Sequence, residues 1–419
     1  MTPTFRTQPA APVRMAHLGL GAFHRSHQAW FTHRASLAGD RWGIAAFTGS
    51  STRLPAQLDA QSGAYSLLVR GPERDAVEVV GSISTAVPGT DEEAWLRVMA
   101  SPDVGVLTVT VTEAGYHGTA PARIARALAA RRDRGSGPIA VVACDNLPHN
   151  GEALRRAVLA AATAEPPKRE AGSPEPDDAL LAWIGSNVSF VSCVVDRITP
   201  ATTAADVALV ARLTGREDRV PVVTEPWAEW VISGSFPAGR PRWETAGAIL
   251  VDDVAPYEER KLWLLNAGHS LLAYAGTARG HRTVCEAFAD QTVRDRLEAL
   301  WAEQRDLVAL PASLVDPWLD QLRARFANPR IEHRLDQIAR DGTFKLRPRI
   351  VDAIRARQDR GLEAGPEQLG VLMDWADHVL HVGPTDRPSL NLAADLSEAR
   401  TPAARTDVVL HHLDRKERA

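Results

Sequence analysis

The sequence predicts an α/β protein in which a doubly wound, mainly parallel sheet is followed by a mainly α-helical C-terminal domain. Over the first 200 residues, short apolar runs rich in β-branched residues alternate with helix-like stretches, which is the pattern of βα units. From about Pro256 onward, long amphipathic runs follow one another with little strand signal. We therefore place the domain boundary so that the domains span 1–253 and 254–419.

Composition and charge narrow the class of protein. The chain has 419 residues, with 48 Lys+Arg against 52 Asp+Glu. This length fits two domains, and the slight negative charge argues against a nucleic-acid partner. The N-terminal residues lack the apolar core of a signal peptide, and no apolar run reaches the ~18 residues that span a bilayer. We expect a cytoplasmic protein with no membrane partner.

Six strands are expected in the first domain, several of them apolar almost throughout, as for parallel strands covered on both faces. They cover residues 13–18, 43–48, 64–69, 104–112, 138–143 and 188–195. The helices expected between them cover 27–37, 91–99, 120–132 and 151–162, and the Pro-rich, charged stretch 165–178 is expected to be an exposed loop. In the second domain we expect helices over 257–274, 283–304, 331–340 and 366–379.

The segment MAHLGLGAFHRSH leads from the first strand into a helix through Gly19 and Gly21. A Rossmann-type dinucleotide site needs such glycines, because a side chain there would hold the backbone away from the pyrophosphate. The third glycine of G-x-G-x-x-G is replaced by His24. Since a bare G-x-G also occurs in methyltransferases and in plain turns, the turn alone leaves cofactor binding and an ordinary turn both open.

The end of the second strand indicates which nicotinamide cofactor is used. In NAD enzymes an acidic side chain there bonds the ribose 2′-hydroxyl, but residues 48–53 read TGSSTR and contain no acid. Hydroxyls together with Arg53 suit a 2′-phosphate, so NADP is a possible cofactor beside NAD. A solvent-facing Arg53 in an ordinary turn is the alternative.

The cysteines and histidines do not indicate a metal. Cys144, Cys193 and Cys285 are far apart and form no C-x-x-C pair, so neither a disulfide framework nor a cysteine zinc site is expected. His24 and His27 flank the glycine turn, and no carboxylate or cysteine completes a set of ligands with them.

The second domain opens with PYEERKLWLLNAGHSLLAYAG, which places three polar side chains among leucines. At ~100° per residue of an α-helix, Asn266 lies ~140° and His269 ~80° around from Lys261. A lysine in a partly dry site beside a cation has a lowered pKa, and can then accept the proton of an alcohol. The Asn266 amide would stabilise the alkoxide. The alternative is a solvent-facing Lys261 and Asn266 with a satisfied core His269.

Together these pieces resemble the polyol-specific long-chain dehydrogenases, the mannitol dehydrogenase family, over nearly the whole chain. The motifs that carry the resemblance are GLGAFHRSH from Gly19, VTEAGY from Val111, CDN at Cys144 with Asn150-Gly151, VDRITP from Val195, and Lys261-x-x-x-x-Asn266-x-x-His269.

The resemblance implies a metal-independent secondary-alcohol dehydrogenase. Matched position by position, Lys261 is the general base, Asn146 and Asn266 stabilise the alkoxide, and His269 and Asp196 hold substrate hydroxyls. The residues expected at the dinucleotide are Gly19, Gly21, Phe23, His24, Arg53 and Glu113, of which Arg53 rests on the end of the second strand and not on the resemblance.

Substrate residues are harder to assign. Family members that act on mannitol tend to carry an arginine eight residues before the lysine of an Asp-Gly-Ser-x-Lys segment. This chain has Gln337 before Lys345, and both are expected to contact substrate. Its KLRPR segment, residues 345–349, looks more like fructuronate reductases. Several cations would suit a carboxylate or a phosphate of the substrate, and a solvated basic helix face is the alternative.

We therefore expect an NAD(P)-dependent enzyme that interconverts a linear polyol or aldonate with its keto sugar, such as D-mannitol with D-fructose or D-mannonate with D-fructuronate. Two other functions stay open. One is mannitol 1-phosphate 5-dehydrogenase, and the other is a dinucleotide-binding regulatory protein without turnover. The sequence does not fix whether the protein is a monomer or a dimer.

Overall fold

The computed structural model describes residues 5–6, 9–111, 113–163, 178–384 and 386–414, and only the backbone of Glu113, Ala114 and Arg387. The expected loop 165–178 falls outside the described residues except for Asp178. The chain divides into two compact units, Met1–Val254 and Ala255–Ala419.

The strands lie in the first unit. Their bounds are β1 Val13–Leu18, β2 Gly43–Phe47, β3 Tyr65–Arg70, β4 Asp75–Val80, β5 Ile83–Val87, β6 Val106–Val109, β7 Ile139–Ala143, β8 Val188–Asp196, β9 Val222–Thr224, β10 Glu229–Ser233 and β11 Ile249–Leu250.

The α-helices of the first unit flank these strands. Their bounds are α1 Ala22–Ser26, α2 Gln28–Ser36, α3 Arg53–Asp59, α4 Glu92–Met99, α5 Glu113–Tyr116, α6 Ala120–Asp133, α7 Asn150–Thr163, α8 Asp178–Asn187 and α9 Ala204–Thr214. A 3₁₀ helix spans Trp243–Ala246.

The main sheet has the order β11-β10-β8-β7-β6-β1-β2-β5. Its pairs are parallel except for β8 with β10, which is antiparallel. Successive residues of one strand enter different hydrophobic clusters, since Met15 and Val106 belong to one cluster and Ala16 and Leu107 to the other. The sheet is therefore covered on both faces, which explains the continuously apolar strands.

One predicted strand belongs to a different sheet. Residues 64–69 were expected in the main sheet, but β3 pairs antiparallel with β4 and parallel with β9 in a separate three-stranded sheet. The reason is that the run is buried along most of its length in either arrangement, so its apolar pattern does not specify its partner.

The second unit is helical. Its α-helices are α10 Ala255–Arg260, α11 Ala267–Ala278, α12 Val284–Ala289, α13 Gln291–Gln304, α14 Ala312–Phe326, α15 Leu335–Ile338, α16 Gly342–Leu346, α17 Asp352–Asp359, α18 Pro366–His381, α19 Arg387–Glu398 and α20 Pro402–Asp414. Two π-helical segments, π1 Lys261–Asn266 and π2 Arg347–Val351, and a 3₁₀ helix at Arg305–Leu307 complete it.

Two of the predicted helices are wrong in extent. The run 283–304 breaks at Asp290, whose carboxylate caps α13 by accepting from the amides of Thr292 and Val293. The run 331–340 is helical only over α15. Before α15 the backbone of His333 accepts a hydrogen bond from Val284, at 2.9 Å, which holds the chain extended.

The fold-class prediction is confirmed, because a mainly parallel doubly wound sheet is followed by a helical unit. Among the described residues, no helix combines the length and apolarity that a bilayer crossing requires.

Candidate active site

A cleft of about 520 Å³ lies at the carboxyl ends of β1, β6 and β7 and reaches Val195 of β8. The order of the sheet reverses between β1 and β6, and ligands of doubly wound sheets bind beside such a reversal. The lining residues are Gly19, Gly21, Ala22, Phe23, His24, Thr110, Val111, Cys144, Asp145, Asn146, Leu147 and Val195.

The first glycine of the turn is required by its conformation and by close packing. Gly19 has φ +110°, and a Cβ there would lie 2.2 Å from the carbonyl oxygen of Thr110. The Gly19 amide donates to the Phe47 carbonyl at 2.9 Å, and the Thr110 hydroxyl donates to the Gly19 carbonyl at 2.9 Å. These bonds fasten the turn to β2 and to the segment after β6.

The second glycine leaves open space. A Cβ on Gly21 would meet only the carbonyl oxygen of Gly19, at 3.6 Å, so no protein atom excludes it. Because Gly21 lines the cleft, a side chain there would occupy ligand space. The Arg25 side chain donates from Nε to the Gly21 carbonyl at 3.2 Å and holds this backbone in place. These features fit a dinucleotide pyrophosphate approaching the backbone.

His24, at the position of the missing third glycine, has a fully buried side chain. Its ring stacks on that of His17 with a centroid distance of 3.3 Å. Burial lowers the pKa of both imidazoles, that of His17 to about 3. Both rings are therefore neutral at neutral pH, and His24 contributes to the floor of the cleft. Phe23, beside it, is half-buried and also lines the cleft.

The expected cofactor-selecting residue, Arg53, is exposed at the first position of α3. The Thr48 hydroxyl donates to the Ser51 carbonyl at 2.6 Å and accepts from the Gly89 amide at 3.0 Å, which fixes the turn after β2. Glu113 belongs to α5, but its side chain lies outside the described part of the chain.

The segment after β7 carries two asparagines in different settings. Asn146 is exposed and lines the cleft. Asn150 is fully buried, and its amide donates to the Cys193 carbonyl at 2.8 Å and accepts from the Cys193 amide at 3.0 Å. Tyr116 donates its hydroxyl proton to Asp145, and burial together with this carboxylate raises the tyrosine pKa.

The Asp-Arg pair at the end of β8 contains one candidate site residue and one structural residue. Asp196 is 8% exposed and accepts a hydrogen bond from Trp227 Nε1 at 3.1 Å. Arg197 donates to the carbonyls of Ser26, at 2.6 Å, and Glu225, at 3.2 Å. Burial lowers the pKa of Arg197 to about 10.

In the second unit, Lys261 and Asn266 are the first and last residues of π1, which joins α10 to α11. The expected α-helical geometry is therefore wrong at this point. A π-turn closes from residue i to i+5, which is the separation of these two residues. Both side chains are half-buried. The Leu264 carbonyl within π1 accepts from Trp301 Nε1 at 2.9 Å.

His269 lies one turn beyond π1 and is 8% exposed. Burial lowers its pKa well below the usual value, and the charges of His333, Arg325, Arg349 and Lys261 lower it further. The buried Nε2 atom has no hydrogen-bond partner within the part of the chain that the structure describes. A buried polar atom of this kind is accounted for if a ligand supplies its partner.

Arg349, in π2, contacts the end of π1. Its Nη1 donates to the Asn266 carbonyl at 3.3 Å and to the Ser270 hydroxyl at 3.1 Å. Burial lowers the pKa of the guanidinium to about 10. Sequence reasoning included Arg349 among the cations that would suit a carboxylate or a phosphate of the substrate, but it did not single this residue out.

The two predicted substrate residues of this unit, Gln337 and Lys345, lie on α15 and α16. Gln337 is exposed on α15. Lys345 donates from Nζ to the carbonyls of Arg340, at 2.6 Å, and Ile338, at 3.4 Å. Burial and the charge of Arg349 lower its pKa.

No cluster of three or more His, Cys, Asp or Glu suited to a metal occurs among the described residues. His27, near the glycine turn, contacts the Glu229 carbonyl through Nε2 at 2.8 Å.

Comparison with known proteins identifies both units. The model of the mannitol dehydrogenase Rossmann domain matches residues 13–245, and that of the mannitol dehydrogenase C-terminal domain matches residues 253–388. Among curated proteins, the chain is 35% identical to D-mannonate oxidoreductase of Escherichia coli, over 83% of this chain and 76% of that protein. It is also 35% identical to D-arabinitol 4-dehydrogenase of Ralstonia nicotianae, over 87% of this chain and 84% of that protein.

A solved structure supports the same assignment. Mannitol 2-dehydrogenase of Pseudomonas fluorescens, in a ternary complex with NAD and D-mannitol, is 28% identical with a TM-score of 0.79, over 98% of this chain and 94% of that one. The chain therefore belongs to the mannitol dehydrogenase family and is an NAD(P)-dependent oxidoreductase that acts on CH–OH groups.

Proposed function

We propose that the protein interconverts a linear polyol or aldonate with its keto sugar without a metal, as D-mannitol with D-fructose or D-mannonate with D-fructuronate. The observation that carries this proposal is the grouping of Lys261, Asn266 and the unpartnered Nε2 of His269 along one helical segment. An amine, an amide and an imidazole are the groups that deprotonate an alcohol, hold its oxygen and orient a neighbouring hydroxyl.

In the oxidative direction, the uncharged amine of Lys261 takes the hydroxyl proton while the C–H electron pair leaves and the C=O bond forms. A nicotinamide held through Gly19, Gly21 and Phe23 would supply the acceptor for that pair and its hydrogen. The side-chain amides of Asn146 and Asn266 donate to the oxygen as its negative charge develops. His269 and Asp196 hold neighbouring hydroxyls. The neutral state of His269 leaves its ring able both to donate and to accept.

Gln337 and Lys345 stay proposals for substrate contact. Lys345 would have to release the Arg340 carbonyl in order to reach a substrate oxygen. Gln337 is free to do so because it is exposed on α15.

For the cofactor we propose NAD, bound at Gly19, Gly21 and Phe23 with His24 and Glu113 as neighbours, and NADP as a second cofactor. The exposed Arg53 and the absence of a carboxylate in residues 48–53 support acceptance of a 2′-phosphate. The Arg53→Ala variant should raise KM for NADP about tenfold and leave KM for NAD unchanged. Equal KM values for NADP in wild type and variant would contradict this role.

The function is tested by assaying mannonate, altronate, mannitol, arabinitol and mannitol 1-phosphate with both cofactors. We expect reduction of the cofactor with at least one unphosphorylated substrate, and loss of that activity in Lys261→Ala with dinucleotide binding retained. Activity only with mannitol 1-phosphate would favour the phosphorylated alternative. Dinucleotide binding without turnover of any substrate would favour a regulatory protein.

A further inference from the structure

The guanidinium of Arg349 lacks an acidic partner. It is partly exposed, yet packed closely enough that burial lowers its pKa. Among the described residues, only Nη1 makes hydrogen bonds, and these go to neutral oxygens of Asn266 and Ser270. No carboxylate of the described chain forms an ion pair with it. Charges in such settings are ordinarily paired, because leaving water is costly for an isolated ion.

Several cations lie near Arg349, together with the carboxylates of Asp341 and Asp386, which act on Lys345 and Tyr274. The charges of Arg349, Lys261 and Arg325 all act on His269, and the charge of Arg349 also acts on Lys345. A polyol has no charge that would benefit from this concentration of cations. A substrate anion would, because the Coulomb attraction is stronger in a site with little water.

From these observations we propose that Arg349 is the receptor for a substrate carboxylate, so that the protein prefers an aldonate to a neutral polyol. The free Nε and Nη2 donors form one edge of the guanidinium fork, which matches the two oxygens of a carboxylate. Nη1, held by the Asn266 carbonyl, fixes that edge relative to the residue proposed to stabilise the alkoxide. This inference rests on the proposed function and names its substrate class.

The test compares kcat/KM for D-mannonate and D-mannitol in wild type, Arg349→Gln and Arg349→Lys. Wild type should favour mannonate. The ratio of the two constants should fall about 10–100-fold in Arg349→Gln, because a charged hydrogen-bond partner is lost. It should fall less in Arg349→Lys, which keeps the charge but not the fork. Because both constants come from one preparation, a partly unfolded fraction cancels in the ratio.

Arg355→Gln is the matched control. Arg355 lies on the next helix and is paired with Asp352 and Asp414. Its substitution should leave the ratio of the two constants unchanged. An equal fall of both constants in Arg349→Gln would show that the guanidinium only supports the helix, and would overturn the inference. So would a wild-type preference for mannitol or for mannitol 1-phosphate, although the dehydrogenase function would then stand. Failure of the wild type to oxidise any CH–OH substrate would overturn the proposed function itself.

Discussion

At the scale of single residues, two asparagines near the cleft, Asn146 and Asn150, differ in burial and therefore in the role we assign to each. Asn150 is fully buried and pairs with both backbone groups of Cys193, so it continues the pairing of β8 beyond its last pair with β7. Asn146, four residues earlier, is exposed and lines the cleft.

This contrast gives a prediction. Asn146→Ala should lower kcat about 10²–10³-fold, as loss of one oxyanion donor does, without changing the dinucleotide dissociation constant. Steady-state kinetics and a fluorescence titration with the reduced dinucleotide measure the two quantities. Asn150→Ala is the control, and it should instead lower the urea midpoint, because the Cys193 backbone groups lose buried partners. An unchanged kcat in Asn146→Ala would remove this residue from the mechanism.

Sequence reasoning could propose Lys261, Asn266 and His269 because polar residues inside a leucine-rich helix are conspicuous. It did not single out Arg349, since nothing local distinguishes one arginine of the KLRPR segment from the other. Only the packing of π2 beside Asn266 and Ser270 separates them. That packing is a tertiary property, so no local pattern in the sequence specifies it.

At the scale of elements, the helical segment that carries Lys261 was predicted as a helix, but the pitch of six of its residues was predicted wrongly. The 3.6-residue period of leucines in 257–274 is real, yet the chain forms π1 within it. Two carbonyls of π1 accept hydrogen bonds from side chains outside the helix. Here Trp301 Nε1 binds Leu264 and Arg349 binds Asn266.

Helix α6 is held to the sheet by one buried arginine. Arg131 is fully buried, and it donates to five backbone carbonyls. These belong to Met99, Ser101, Ser136, Gly137 and Pro138, at 2.8–3.0 Å. The side chain thus joins the end of α6 to the end of α4 and to the segment before β7. Burial lowers its pKa to about 10, at which it stays charged at neutral pH.

Arg131→Met should lower the free energy of unfolding by about 3–5 kcal/mol, because several buried carbonyls lose their donor. Urea unfolding followed by tryptophan fluorescence measures the effect. Arg126→Met is the control on the same helix. Its side chain is 59% exposed and pairs with Glu92, so the loss should stay below about 1 kcal/mol. Equal losses of unfolding free energy in the two variants would contradict the role of Arg131 in joining α6 to the neighbouring segments.

At the scale of the whole molecule, the fold class followed from sequence because the alternation of strands and helices is long and regular. The order of strands β9, β10 and β11 did not, since these are short and their pairing depends on contacts distant in sequence. The separate sheet of β3, β4 and β9 was missed because the apolar pattern of β3 does not specify the strand with which it pairs. The residues at the carboxyl ends of β1, β6 and β7 were predictable, because the glycine turn marks that edge.

Stability in acid is a property of both units. His17, His24 and His269 are buried and neutral, with pKa values lowered by burial. Since the unfolded chain binds protons at these positions below about pH 6.5, their contribution to stability is present above that pH and is lost as the pH falls toward the folded pKa. For His17 the window extends to about pH 3.

We predict that the unfolding free energy falls between about pH 6.5 and pH 4, by up to about 1.4 kcal/mol per pH unit for each of these histidines. His24→Phe keeps a ring on His17 but removes one titrating group, so the slope should become shallower by about that amount. The exposed His117 provides the control variant, His117→Gln, whose slope should equal that of wild type. Identical slopes in wild type and His24→Phe would contradict the prediction.

The central claim is that the uncharged amine of Lys261 accepts the proton of the alcohol. The most direct measurement is the pH dependence of the oxidation rate from about pH 6 to 10, under conditions where a deuterated substrate shows that breaking the C–H bond limits the rate. The account predicts that the oxidation rate rises tenfold per pH unit and then levels off as Lys261 loses its proton. It also predicts that Lys261→Ala abolishes this activity. A rate that stays flat across this range with the same isotope effect, or turnover at the wild-type rate in Lys261→Ala, would contradict it.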